Sequence, residues 1–244
     1  MKKGFFLFLL SIPFFFSGCL HRCPNPKDPF EPINREIFKV NMAFDATFLK
    51  PPAELYILVI PVQFRAAINN IYDNIAILPT IANDIFQGQT NHTINDIGRF
   101  ALNSTLGLGG IGNVSAQFKI PNHHNDFGLT LAHWGNTTSP FFMIPLLGPC
   151  TLRDSYSLLI DYTFFTPYLL MPTVLLYQVL GVRYVDLRSQ MMDNIELLHN
   201  AIDPYVLMRD AYLQHRQNQI LQNSQGKVDI SDDNSASLYV DGDD

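Results

Sequence analysis

Apolar residues recur at three- and four-residue steps through most of the chain, the spacing of helices with one apolar face. In EPINREIFKVNMAFDATFLK, residues Ile33, Ile37, Val40, Phe44 and Phe48 fall on one stripe, which Pro51-Pro52 ends. PVQFRAAINNIYDNIAIL carries Phe64, Ile68, Ile71 and Ile75 in the same rhythm, and Pro79 then opens a short helical piece, IANDIF, that Gly88 closes. INDIGRFALNSTL repeats the pattern with Ile94, Ile97, Ala101 and Thr105. Two further helical stretches run from Tyr184 to His199 and from Asp203 to Gln222, the second entered through Asp203-Pro204 as cap and first turn. Alternating strand patterns of any length are missing, so the pattern predicts an all-α or nearly all-α fold.

Two regions break the rhythm. Residues 106–150 are rich in Gly, Pro, Asn and aromatics and read as a long loop, far beyond the usual connection of about five residues; ordered loops of that length are usually functional. Residues 156–180, YSLLIDYTFFTPYLLMPTVLLYQVL, are strongly apolar, but Asp161, Pro167, Pro172 and Gln178 interrupt them. Broken apolar helices of this kind suit burial against protein or a position within one leaflet better than a clean span.

Ser104 to Asn113, STLGLGGIGN, contains the G-x-G-x-x-G spacing of a dinucleotide site at Gly107, Gly109 and Gly112. That spacing needs a strand before it, a helix after it and an acid about 20 positions on. Here a helical pattern precedes it, no helical stripe follows, and Asp126 comes too early. The glycines are expected instead to end a helix and let backbones pass closely.

The N-terminus adds an address. Lys2 and Lys3 precede an apolar run from Phe5 to Phe16, about 12 residues where a bilayer span needs roughly 20. Residues 1–18 therefore read as a signal peptide, and Phe16-Ser17-Gly18-Cys19 looks like a bacterial lipobox, which makes Cys19 the lipidation site. Covalent diacylglycerol and an N-acyl chain on Cys19 give stable anchoring where a single chain would not. Leu20, in place of Asp, favours the outer over the inner membrane. That compartment permits a disulfide between Cys23 and Cys150, whose distance the sequence leaves open.

The whole chain of 244 residues carries a net charge of −6, yet its last 18 residues hold six Asp and one Lys, which leaves the body near −1. No basic face offers itself to nucleic acid, and residues 223–244 read as a solvated acidic tail. Charged residues are 16% and hydrophobic residues 47%, against roughly 25% charged in an average soluble domain. Some apolar surface should therefore face lipid or a partner.

Catalytic chemistry finds little to stand on. His123, His124, Asp126 and His133 lie close together but match no metal-ligand spacing, so no metal is expected. No G-x-S-x-G is present, and neither Ser155 beside Asp154 nor Ser104 with His92 makes a recognisable triad. Arg99, Arg153 and Asp154 are candidates for a buried charge pair or for lipid-headgroup contacts, since Arg binds phosphate bidentately.

Several strings, taken together, resemble one family: DPFEPINREIFKVN, FLKPPAELY, RFALNSTLGLGGIGNVS, NDFGLTLAHWG, SPFFMIPLLGPCTLRD and DPYVLMRDAY. From Asp28 to His215 the chain resembles the MlaA/VacJ family of outer-membrane lipoproteins. The resemblance implies a helical, ring-shaped single domain over residues 28–222, joined by a linker, residues 19–27, to the acyl anchor and lying in the inner leaflet of the outer membrane. It implies binding to a trimeric outer-membrane porin. It also implies retrograde transport, in which misplaced outer-leaflet phospholipids pass through an amphipathic channel to a soluble periplasmic lipid carrier. No catalytic group and no cofactor beyond the acyl chains are needed. The family's hinge stretch commonly reads G-x-G-x-G-P, where this chain has Gly135-Asn136-Thr137-Thr138-Ser139-Pro140. Gly135, Pro140 and Gly148 are the candidate hinge of a gating loop. A membrane-anchored phospholipase and a porin-scaffolding lipoprotein are the alternatives.

Overall fold

A computed structural model describes residues 25–192, 197–198 and 200–225. The signal peptide, Cys19, Cys23, most of the acidic tail and part of the predicted Tyr184–His199 helix lie outside the described residues. Within them the chain is mostly helical: α1 (Glu31–Phe44), α2 (Lys50–Val59), α3 (Val62–Gln87), α4 (Thr90–Thr105), the short α5 (Val114–Gln117) and α6 (Phe127–His133), α7 (Leu152–Phe164), α8 (Thr173–Gln190) and α9 (Pro204–Ser224). One antiparallel hairpin, β1 (Phe141–Ile144) with β2 (Gly148–Thr151), interrupts them in the register Phe141 to Thr151 through Ile144 to Gly148.

Several boundaries differ from the sequence reading. Pro51-Pro52 do not end a helix but occupy the first turn of α2, where a missing N–H costs nothing; a π-turn over Asp45–Leu49 links α1 to α2. Pro79 lies inside the 26-residue α3 instead of opening a new helix. Around it, Thr80 Oγ1 donates to the Ala76 carbonyl and Asn83 Nδ2 to the Pro79 carbonyl. Gly88 does end α3, in a left-handed conformation with φ 70°. Its N–H bonds Ile85 O while Gln89 N–H bonds Asp84 O, a Schellman pair. The long loop of residues 106–150 is broken up by α5, α6 and the hairpin. The apolar stretch 156–180 splits into the end of α7, a 3₁₀ turn at Pro167–Leu170 and the start of α8, which begins at Thr173 rather than Tyr184. No helix among the described residues is long and apolar enough to cross a membrane.

The glycine block packs backbones closely. The turn after α4 places Leu108, Gly109 and Gly110 at positive φ, and a Cβ on Gly107 would lie 2.3 Å from the Gly112 carbonyl. Helix α4, not a strand, leads into the block, so no dinucleotide cradle is built there.

A small core of Phe38, Phe141, Met143, Leu198 and Tyr205 joins α1, the hairpin and α9. Amides complete it. Asn34 Oδ1 accepts from Met143 N–H at 3.0 Å, Asn41 Nδ2 donates to Ile144 O at 3.0 Å, and Asn41 Oδ1 accepts from Leu146 N–H. Two asparagines seven residues apart on α1 thus satisfy the open edge of β1. Just before α1, buried Asp28 accepts from Asn34 Nδ2, the Tyr205 hydroxyl and Arg209.

Candidate functional site

The polarity of the helices is inverted. On α4 the residues facing inward are Asp96, Arg99 and Asn103, at 1%, 3% and 5% exposure, while Ile94 and Ile97 stand 63% and 50% exposed. α3 buries Asn69, Asn74, Thr80, Asn83, Asp84 and Gln87 beside Tyr72, Ile77 and Pro79, and leaves Phe64 and Ile85 outside. On α1 the buried face is Asn34 and Phe38, one position off the expected apolar stripe, and Ile33 and Val40 are exposed, as is Phe48 in the π-turn that follows. A second apolar exterior lies on α2 and α8, which pack against each other: Leu55, Leu58, Val59, Val174, Leu175 and Tyr177 face outward, continued by Leu170 in the 3₁₀ turn. Leu58 and Leu170 are 83% and 89% exposed. An apolar surface of this extent is unstable in water and stable against acyl chains or a partner.

Hydrogen bonds hold the interior. Asn83 bridges α7 and α6, donating to Asp161 at 2.9 Å and accepting from the Thr130 hydroxyl at 2.8 Å. Gln87 donates to Asn125 and Thr130, and Asn125 donates to Asp84 Oδ1, each at 2.9 Å. Between α2, α3 and α8, Tyr56 donates to Asp186, Tyr72 donates to the Val179 carbonyl, and Arg183 donates to Asn69 while lying 5.0 Å over the Tyr72 ring. Arg188 forks onto both oxygens of Asp45, at 2.6 and 3.0 Å, and ties α8 to the π-turn.

Within this interior two sites stand out. The first is a small polar recess of about 20 Å³ between α3 and α4, lined by Asn70, Asp73, Asn74, Arg99, Asn103 and Asn122 among others. Arg99 donates to the Ile120 carbonyl at 2.6 Å there, and burial raises the Asp73 carboxyl. The second is the group Asp84, Asp96 and His123. His123 Nδ1 lies 3.0 Å from Asp96 Oδ2 and 3.6 Å from Asp84 Oδ2. Burial pushes the Asp84 carboxyl up to about 7 and that of Asp96 to about 6, and it lowers His123. Asp84 Oδ2 and Asp96 Oδ1 are buried without a hydrogen-bond partner.

The candidates from the sequence separate. Arg153 and Asp154 do pair, Nε to Oδ1 at 2.9 Å, both buried at the start of α7, and Arg99 belongs to the recess instead. His123, His124, Asp126 and His133 do not converge: Asp126 is taken by Arg216 and caps α6, His133 is exposed at the end of that helix, and His123 joins Asp84 and Asp96. Ser155 donates to the Leu152 carbonyl and Ser104 accepts from Asn74. Asp84 and Asp96 escaped sequence reasoning because it followed the isoleucines; the signal was the polar stripe opposite them.

Of the candidate hinge residues, Gly135 has φ +109° and Gly148 φ +101°, with open space where a Cβ would stand. Gly135 closes α6 as a Schellman motif, its N–H on Ala132 O and Asn136 N–H on Leu131 O. From there to Pro140 the loop is tied to α7: Arg153 Nη1 donates to the Asn136 carbonyl, Arg153 N–H to Ser139 Oγ, and Leu152 N–H to the Pro140 carbonyl. Gly148 sits in the hairpin opposite Ile144.

The family model for the MlaA lipoprotein matches residues 26–219. The chain belongs to the MlaA lipoprotein family. Its relatives include a Rickettsia bellii protein, 30% identical over 210 residues that cover 82% of this chain and 80% of that one. The intermembrane phospholipid transport system lipoprotein MlaA of Escherichia coli K12 is 29% identical over 193 residues, 77% of this chain and 76% of its own length. The MlaA of Haemophilus influenzae is 28% identical and covers 78% of each chain. A structure solved to explain maintenance of bacterial outer membrane lipid asymmetry superposes with a TM-score of 0.71 at 29% identity, covering 79% of this chain and 98% of that one. The mostly helical fold described above is thus an MlaA-like fold.

Proposed function

We propose that this chain is an outer-membrane lipoprotein, anchored through acyl chains on Cys19, that removes misplaced phospholipids from the outer leaflet and passes them inward. The observation that carries the reading is the inversion: buried Asp96, Arg99 and Asn103 against exposed Ile94 and Ile97 on the one helix α4. A protein seated among acyl chains turns its apolar side chains outward and keeps hydrogen-bonding groups inside, where a headgroup can travel beside them. Such transfer needs a path, not covalent chemistry. A trimeric porin is the proposed neighbour on the apolar exterior and a soluble periplasmic lipid carrier the acceptor. The segment from Gly135 to Pro140 is the proposed adjustable part of the path. Gly148, paired within a hairpin whose Phe141 and Met143 are fully buried, serves as its fixed end.

The test is outer-leaflet phospholipid content in a deletion strain complemented by wild type or by the double variant Leu58→Asp, Leu170→Asp at equal protein level. Both positions are exposed, so the fold should survive. Asymmetry restored by wild type and not by the variant supports the reading. Equal restoration would sink it. Release of fatty acid from phospholipid by the purified protein would favour a phospholipase instead.

A further inference from the structure

Asp84, Asp96 and His123 come from three separate pieces of chain: the last turn of α3, the middle of α4 and the segment leading into α6. One donor atom from each lies within 4.8 Å of the other two. Two carboxylates at 0% and 1% exposure stand side by side, with a half-buried His92 ring tilted 51° against that of His123, centroids 4.5 Å apart. Asp84 lies within hydrogen-bond reach of Asp96, and Arg99 and His92 attract Asp96, but while both carboxyls are ionised Asp96 Oδ1 and Asp84 Oδ2 have no donor among the described residues. Buried carboxylate oxygens are rarely left so, because each forfeits its water for nothing.

We propose that Asp84, Asp96 and His123 bind one divalent cation of the Zn²⁺ class, which clamps α3, α4 and the segment before α6 together. The donor set decides the class: imidazole nitrogen with two carboxylate oxygens suits Zn²⁺ or its first-row neighbours, whereas Ca²⁺ and Mg²⁺ prefer oxygen alone. Tetrahedral bonds of about 2.0–2.1 Å put neighbouring donor atoms about 3.4 Å apart; His123 Nδ1 lies 3.6 Å from the unpartnered Asp84 Oδ2 and 3.0 Å from Asp96 Oδ2, a hydrogen bond that the ion would replace. The remaining position belongs to water. Asn125, which donates to Asp84 Oδ1 at 2.9 Å, aims the other oxygen of that carboxylate at the centre. The ion would take the place of a shared proton between the carboxylates, and the clamp bears on the elements that frame the polar recess.

The experiment uses the untagged mature lipoprotein in detergent, stripped with EDTA and titrated with Zn²⁺ against a competing chelator, with thermal unfolding read in parallel. Wild type should take up one ion per chain and melt at higher temperature when loaded. Asp84→Asn and Asp96→Asn should each weaken Zn²⁺ by at least roughly 10-fold and lose the thermal shift. Both variants keep the shape of the residue and remove one of two adjacent carboxylates, so in EDTA they should be at least as stable as wild type, which keeps a folded reference. X-ray absorption of the loaded protein should report oxygen and nitrogen neighbours near 2 Å. No uptake by wild type, or uptake unchanged in both variants, overturns the proposal and leaves a carboxyl pair that shares a proton.

Discussion

The Arg216 guanidinium donates to both oxygens of Asp126, at 2.7 and 2.6 Å, and its second nitrogen reaches Asp154 Oδ1 at 2.9 Å. One arginine on α9 thereby joins the cap of α6 to the first turn of α7. Burial opposes ionisation of Asp126, yet Arg216 outweighs it and holds the carboxyl well below the usual range; the same balance, with Arg153 added, lowers Asp154. The backbone of Gly128 closes over the trio: a Cβ there would stand 2.4 Å from Asp154 Oδ1 and 2.5 Å from Arg216 Nη2.

Removing Arg216 should therefore cost far more than a surface ion pair. Arg216→Met leaves the partly buried Asp126 without its cation and the buried Asp154 with Arg153 alone, and is expected to lower unfolding free energy by about 3 kcal/mol. Gly128→Ala, which forces the same groups apart, should destabilise in the same direction. Denaturant unfolding of the mature protein in detergent measures both. A change below about 1 kcal/mol for Arg216→Met would mean that the network is solvated.

The same trio sets the acid limit. Carboxyls whose folded pKa is depressed stabilise the fold above their unfolded pKa, about 3.9, and that stability is lost as pH falls through the folded value. Wild-type stability from these carboxyls should hold from neutral pH down to about 4 and be lost only below it, while Arg216→Met, whose Asp126 burial then raises, should gain on wild type already from higher pH, so that the gap narrows as pH falls. Unfolding curves of both proteins across that range decide; a wild-type loss beginning between about pH 5 and 7, or a gap that does not narrow on acidification, would contradict the depressed carboxyls.

The anchor is testable alone. Cys19→Ala should abolish incorporation of labelled palmitate and release the protein from the membrane fraction, because two or three acyl chains carry the anchoring energy. Continued labelling would place the lipid elsewhere. Truncation after Gly226 should leave folding intact, since the tail has too little apolar surface to bury.

The helices, the Asp203 cap and the Gly88 stop were legible in the sequence because spacing and end signals are local. Which way each helix faced was not. A hydrophobic stripe tells that a helix has two sides, not which side meets the protein, and Ile94 and Ile97 read as core only if water is assumed outside. Pro79 misled for a similar reason: it removes only the one hydrogen bond to the Ile75 carbonyl, and in a 26-residue helix that buries Thr80, Asn83 and Asp84 around it the packing outweighs that loss, which pattern reading does not weigh. Asp84, Asp96 and His123 are 12 and 27 positions apart in sequence, and only the packing of α3 on α4 brings them together.

The remaining prediction separates a hinge from a helix end at Gly135. Gly88 and Gly135 close α3 and α6 with the same Schellman pair of hydrogen bonds, both at positive φ and both with open space where a Cβ would go. Alanine at either position therefore meets no clash and suffers only backbone strain, roughly 1 kcal/mol of stability. If both glycines are simply helix ends, Gly88→Ala and Gly135→Ala should behave alike in cells. If the segment from Gly135 to Pro140 adjusts the lipid path, Gly135→Ala should in addition shift its open and closed populations, because the residue that absorbs the rotation has lost part of its range. Outer-leaflet phospholipid would then rise, and resistance to detergent with EDTA would fall, in cells carrying Gly135→Ala but not Gly88→Ala at equal protein level. Loosening the other side, through Arg153→Lys, removes the fork that reaches the Asn136 carbonyl and should move the same readout. Equal asymmetry in all three strains would leave the loop a passive turn held by Arg153.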